Sequence, residues 1–117
     1  MFLFTEFKKV CFLDADIEVI KNCDYYFNFP TPAAFCYPHS EGMAGGTIVI
    51  KPDVNSYLQC LAIGVKEGVV NDEMIWCEWY PNFINEPSHM LPYSDFCCDS
   101  SNSNKLLHYD GMNKPWL

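Results

Sequence analysis

Positive charge is scarce in these 117 residues: seven lysines and no arginine face fifteen acidic side chains, for a formal net charge of -8. Such a surface repels nucleic-acid phosphates and anionic membranes, so no nucleic acid is expected as a partner and a polyanionic ligand requires a cation as mediator. Long apolar runs are missing as well. No stretch approaches the ~18 residues of a membrane span, and Met1-Phe2-Leu3-Phe4 is far shorter than a signal-peptide core. That leaves no membrane segment and makes cytoplasmic residence the expectation. The seven cysteines (Cys11, Cys23, Cys36, Cys60, Cys77, Cys97, Cys98) are an odd number without a C-x-x-C pair. Zinc-ribbon spacing is thereby excluded, and reduced, mostly buried thiols are expected. There is no internal repeat and no nucleophilic triad.

What is present suffices for one domain. A chain of this length with 50% hydrophobic residues buries roughly two-thirds of its unfolded surface and is too short for two domains. Val10-Cys11-Phe12-Leu13, ending in Asp14-Ala15-Asp16, reads as a strand buried on both faces, as in a parallel sheet. Asn22 or Asp24 is placed to cap a short helical turn closed by Pro30 and Pro32, and residues 33–37 read as a second strand. After a flexible stretch over 38–46, the β-branched run Thr47-Ile48-Val49-Ile50 predicts a strand between Gly46 and Pro52. Asp53 is a good N-cap for a helix running to Gly68, and a second helix opens near Asn71 or Asp72 and continues to Trp79. Residues 81–104 read as irregular, and Leu106-Leu107-His108-Tyr109 as a last strand ending at Gly111.

The chemistry concentrates at a few of these ends. Asp14 and Asp16, two apart in an extended chain, send their carboxylates from one face and suit a hard divalent cation. His108 beside them would favour Mn²⁺ over Mg²⁺, since nitrogen suits the transition metal. Gly111 would let backbone approach a phosphate, and Lys114 would offer it a positive charge. Gly45 precedes its strand, so its loop must return to the rim that carries the aspartates. Trp76 and Trp79 at helical spacing point to core packing rather than to stacking on a sugar, as Tyr80 and Phe83 also could. The Cys97-Cys98 pair with His89 has poor geometry for one tetrahedral ion.

Four segments occur together and in order: Phe7-Lys8-Lys9-Val10-Cys11-Phe12-Leu13-Asp14-Ala15-Asp16, Gly45-Gly46-Thr47-Ile48-Val49-Ile50-Lys51-Pro52, Asn71-Asp72-Glu73, and His108-Tyr109-Asp110-Gly111-Met112-Asn113-Lys114-Pro115-Trp116. In this order and spacing the chain resembles glycosyltransferase family 8, the glycogenin and galactinol synthase family, from about Phe7 onward. The closing H-x-x-G-x-x-K-P-W is the most specific element.

The resemblance implies an α/β chain with a partial GT-A-type (nucleotide-diphospho-sugar transferase) fold: a mixed sheet with flanking helices, lacking the N-terminal nucleoside-binding half. It implies a Mn²⁺-dependent retaining hexosyltransferase, with Mg²⁺ as the alternative ion. The donor would be a nucleotide sugar, uridine-linked by analogy, and the acceptor a sugar, protein or lipid. Asp14, Asp16 and His108 would hold the metal, Gly111 and Lys114 the diphosphate, Gly45, Gly46 and Glu73 the donor, and Asp72 would stand at the reacting centre. The sequence departs from the family where Ala44 replaces an Asn, Gly45 a Ser or Ala, and Glu73 a Gln. A truncated sheet would expose the edge beside Val10 to Leu13, to be covered by an upstream segment, a second polypeptide or a second copy. The alternative function is a non-catalytic glycosyltransferase-like interaction or carbohydrate-binding module.

Overall fold

The computed structural model describes residues 1–36, 42–97 (Cys97 by its backbone alone), 105–109, 111 and 114–116. Tyr37 of the expected second strand, residues 38–41 of the loop expected over 38–46, Cys98 and the stretch 98–104, and Asp110, Met112 and Asn113 of the last motif lie outside them.

The structure is mixed α/β and contains two three-stranded sheets. In the first, β4 (Thr47–Ile50) lies between β1 (Val10–Leu13) and β3 (Ala33–Ala34), antiparallel to both. Every residue of β4 is buried, as a β-branched run flanked on both edges should be. Its alternation divides the core. Val49 joins Tyr26, Phe35, Phe96 and Leu106 in one cluster, while Ile48 and Ile50 join Phe2, Met43, Cys60 and Phe83 in the other.

The parallel setting expected for Val10–Leu13 is corrected here. β1 is an antiparallel edge strand whose residues are all part-buried. A four-residue apolar run reads alike in either orientation, because its partner lies far along the chain. The antiparallel register has a functional consequence: Leu13 pairs with Thr47, so the start of β4 and the Gly45-Gly46 turn stand beside the end of β1. The loop returns to the aspartate rim because the strand direction takes it there.

The second sheet orders β2 (Ile17–Val19), β6 (Leu106–His108) and β5 (Phe96–Cys97), antiparallel and then parallel. Neither β2 nor β5 is expected from the sequence. Residues 81–95, expected to be irregular, wind into 3₁₀ turns at Pro81–Asn85, Pro87–His89 and Tyr93–Asp95.

Both helices begin where their caps predict. Asp53 accepts the Ser56 N–H at 2.8 Å and opens α1 (Val54–Gly64), and Asn71 accepts the Met74 N–H at 2.9 Å and opens α2 (Asp72–Trp79). α1 stops short of Gly68. Trp76 and Trp79 pack on Phe2, with ring centroids 5.9 and 5.1 Å away, and Phe83 is buried, so these rings belong to the core. Of the five cysteines described, all free, only Cys60 is buried; the other four are part-buried, which corrects the expectation of mostly buried thiols. Among the described residues no helix is long and apolar enough to cross a membrane.

Candidate metal and phosphate site

Asp14 and Asp16 come together through a turn, not through an extended strand. The Asp14 N–H donates to the Gly46 carbonyl at 2.9 Å, ending the β1–β4 ladder, and the Ile17 N–H donates back to the Asp14 carbonyl at 3.0 Å. That four-residue turn carries the chain from the first sheet to the second. On the other side, Ile17 pairs with His108, and the Tyr109 N–H donates to the Asp16 carbonyl at 2.9 Å.

Three side chains converge as a result. One ligating atom from each of Asp14, Asp16 and His108 lies within 4.8 Å of the others. His108 Nε2 is 3.1 Å from Asp16 Oδ1, with the imidazole side chain only 11% exposed, and its buried Nδ1 has no hydrogen-bond partner among the described residues. Lys114 Nζ donates to Asp16 Oδ2 and to the Tyr109 carbonyl. This hydrogen bond holds the Asp16 carboxyl below the usual range, whereas burial, and next the charges of Asp72 and Asp16, push the Asp14 carboxyl above it.

Two carboxylates and an imidazole around one point are a donor set suited to a divalent transition metal. The turn leaves room for one. Gly46 is buried, and a Cβ there would lie 3.3 Å from Asp14 Oδ2 and 3.7 Å from His108 Cε1, so the missing side chain keeps the cleft open. Gly45 faces the helical side: its N–H donates to Glu73 Oε1 at 2.8 Å, and Asp72 stands nearby, its carboxylate oxygens 3.5 Å from where a Cβ of Gly45 would lie. Asp72 and Glu73 are exposed at the head of α2.

Gly111 adopts a φ of 84°, a conformation that favours glycine; its neighbours on both sides are outside the described residues. Ala44 is buried with Phe35 and Leu91, its N–H donating to the Phe35 carbonyl at 2.9 Å, so position 44 gives its side chain to the core. Tyr109 was not singled out from the sequence. Its N–H fixes the Asp16 backbone and its carbonyl receives Lys114, and the only sequence signal for it is its place inside the last motif. A cleft of about 540 Å³ adjoins the turn on the Asp16 side, lined by Ala15, Ile17, Glu18, Tyr109, Pro115 and Trp116.

No protein-family model matches the chain. Curated proteins do. An Arabidopsis thaliana protein provisionally named UDP-glucuronate:xylan alpha-glucuronosyltransferase 3 is 30% identical over 132 residues, covering 97% of this chain and 21% of that protein. UDP-glucuronate:xylan alpha-glucuronosyltransferase 1 of the same plant is 27% identical over 97% of this chain and 19% of its own length. Glycogenin-1 of Caenorhabditis elegans is 27% identical over 96% of this chain and 30% of its own length. All are glycosyltransferases of family 8. The chain is therefore homologous to family 8 glycosyltransferases, along nearly all of its own length and along less than a third of theirs.

Proposed function

We propose that this chain forms the metal- and diphosphate-binding part of a retaining, Mn²⁺-dependent glycosyltransferase with a partial GT-A-type fold, moving a hexosyl group from a UDP-sugar to a sugar, protein or lipid acceptor. The observation that carries the reading is the meeting of Asp14, Asp16 and His108 at one point with Lys114 alongside. The names of the relatives support a sugar-transfer chemistry and, for the plant proteins, a UDP-linked donor.

The residues divide the work by charge. Asp14, Asp16 and His108 would hold Mn²⁺, or Mg²⁺ in its place, and the bound ion would neutralise charge that develops on the diphosphate as the bond to the anomeric carbon breaks. Lys114 supplies positive charge from the protein itself; released from Asp16, its ammonium can turn to a phosphate oxygen without leaving the cleft. Gly46 keeps side-chain atoms out of that space, and Gly111 allows close backbone approach. Asp72 reaches the same cleft from α2, where its carboxylate can stabilise positive charge at the anomeric carbon.

A second reading, a non-catalytic interaction or carbohydrate-binding module, is favoured by one observation: Lys114 already neutralises Asp16. Calorimetric titration with UDP, in the presence and absence of Mn²⁺, separates the two. Mn²⁺-dependent UDP binding, weakened more than Mn²⁺ binding itself by Lys114→Ala, is expected. Absence of UDP binding under both conditions would leave the module.

A further inference from the structure

The acidic pair at the head of α2 is the part of the cleft that diphosphate binding leaves unexplained. Glu73 is fixed there by the Gly45 N–H, 2.8 Å from its Oε1, and a Cβ on Gly45 would stand 2.7 Å from Glu73 Cγ. Glycine and glutamate fit one another: any larger residue at 45 displaces the carboxylate. Both are positions where the sequence departs from the family pattern.

The next residue, Gly46, lies against Asp14 and His108. Two successive glycines thus form a thin floor, with Asp72 and Glu73 at one end and the proposed metal ligands at the other. A sugar joined to a phosphate held by those ligands can leave in two directions. One runs past Lys114, on Asp16 and the Tyr109 carbonyl, toward the cleft lined by Tyr109 and Trp116, away from Asp72. The other is the Gly45 floor walled by Asp72 and Glu73. Carboxylates there can accept hydrogen bonds from sugar hydroxyls but repel a sugar that carries its own carboxylate. The sequence has no arginine, the residue best shaped to pair with a carboxylate.

We infer that Glu73, held by the Gly45 amide beside Asp14, is a specificity-determining residue that makes this cleft accept a nucleotide donor with an uncharged sugar and reject the corresponding uronate. The inference rests on the donor reading proposed above, and it separates this chain from relatives named for UDP-glucuronate.

Calorimetry with Mn²⁺ and three ligands, UDP, UDP-glucose and UDP-glucuronate, tests it. UDP-glucuronate should bind about tenfold more weakly than UDP-glucose, since juxtaposed like charges oppose binding, and the gap should shrink as salt is added. Glu73→Gln keeps an acceptor for the Gly45 N–H and should close most of the gap, read as the ratio of the two sugar nucleotides' affinities so that any change in UDP affinity itself cancels. Gly45→Ala, which pushes the side chain away, should narrow it independently. Equal affinity for both sugars in the natural chain, or a gap that persists in Glu73→Gln, overturns the role of Glu73 while leaving the donor reading intact. Failure of UDP itself to bind with Mn²⁺ overturns both.

Discussion

Two histidines in this molecule each stand beside a carboxylate, and only one looks like part of a site. His89 Nε2 lies 3.3 Å from Glu86, its Nδ1 is 2.8 Å from the Pro32 carbonyl, and its ring stacks on Tyr80 at 5.7 Å. Glu86 in turn accepts hydrogen bonds from the Tyr80 hydroxyl and the Asn82 amide. Both ring nitrogens of His89 and both carboxylate oxygens of Glu86 have partners, so the network joins the 3₁₀ turns to the start of β3. His108 has the same kind of partner in Asp16, at 3.1 Å, yet its other nitrogen is buried without one among the described residues, and Asp14 is crowded by Asp72, Asp16 and Glu73. An imidazole–carboxylate pair is common structural material. Surplus negative charge around Asp14, with the His108 Nε2 turned toward it and Asp16, marks the place where a cation fits.

The largest expected effect tests that distinction directly. His108→Ala should lower Mn²⁺ affinity on the order of a hundredfold or more, beyond what loss of a supporting partner alone costs, with a melting temperature within a few degrees of the natural chain. Calorimetric titration with the metal reads it; unchanged affinity would put the two histidines in one class. The converse experiment is His89→Ala, which strands buried polar groups and should cost roughly 1–3 kcal/mol of stability in urea denaturation, with Mn²⁺ binding unaffected. If His89→Ala also abolished metal binding, the two regions would have to be treated as one unit.

The smallest effect asks whether the cores behind the two histidines respond alike. Burial raises Cys11, packed against the cluster behind His108, and Cys60, in the cluster that Tyr80 flanks, from 9.0 to about 11. Folded thiols then keep protons that unfolded ones release, so stability should be level below pH 9.0 and fall as pH rises toward about 11. Denaturation midpoints across that interval check it. Cys11→Ala and Cys60→Ala should each remove part of the slope.

What could be read from the sequence was what is written locally. The caps Asp53 and Asn71 sit within three residues of the N–H groups they satisfy, and Thr47–Ile50 carries its strand preference in four consecutive side chains. β2 and β5 had no such signal. Ile17-Glu18-Val19 and Phe96-Cys97 are too short for a period to emerge, and they are strands because Leu106–His108 lies between them. Strand direction was equally hidden, since Val10–Leu13 presents the same apolar face to a parallel or an antiparallel neighbour. The candidate site followed the same division. Asp14, Asp16, His108 and Lys114 stand out by type and order, but the turn that joins the two aspartates, and the Tyr109 backbone that steadies it, depend on pairings with distant segments.

Asp16 and His108 are 92 residues apart in the chain, and this separation bears on how the molecule assembles. Contacts that distant are entropically late, because the long loop between them must close before they form. The turn at Asp14 can take shape once β1 pairs with β4, but the third candidate ligand arrives only when β6 docks on β2. An ion captured at that point would act as a clasp on a nearly complete fold: it would tie the tail of the chain to its beginning, slow the tail's release, and convert metal affinity directly into resistance to unfolding.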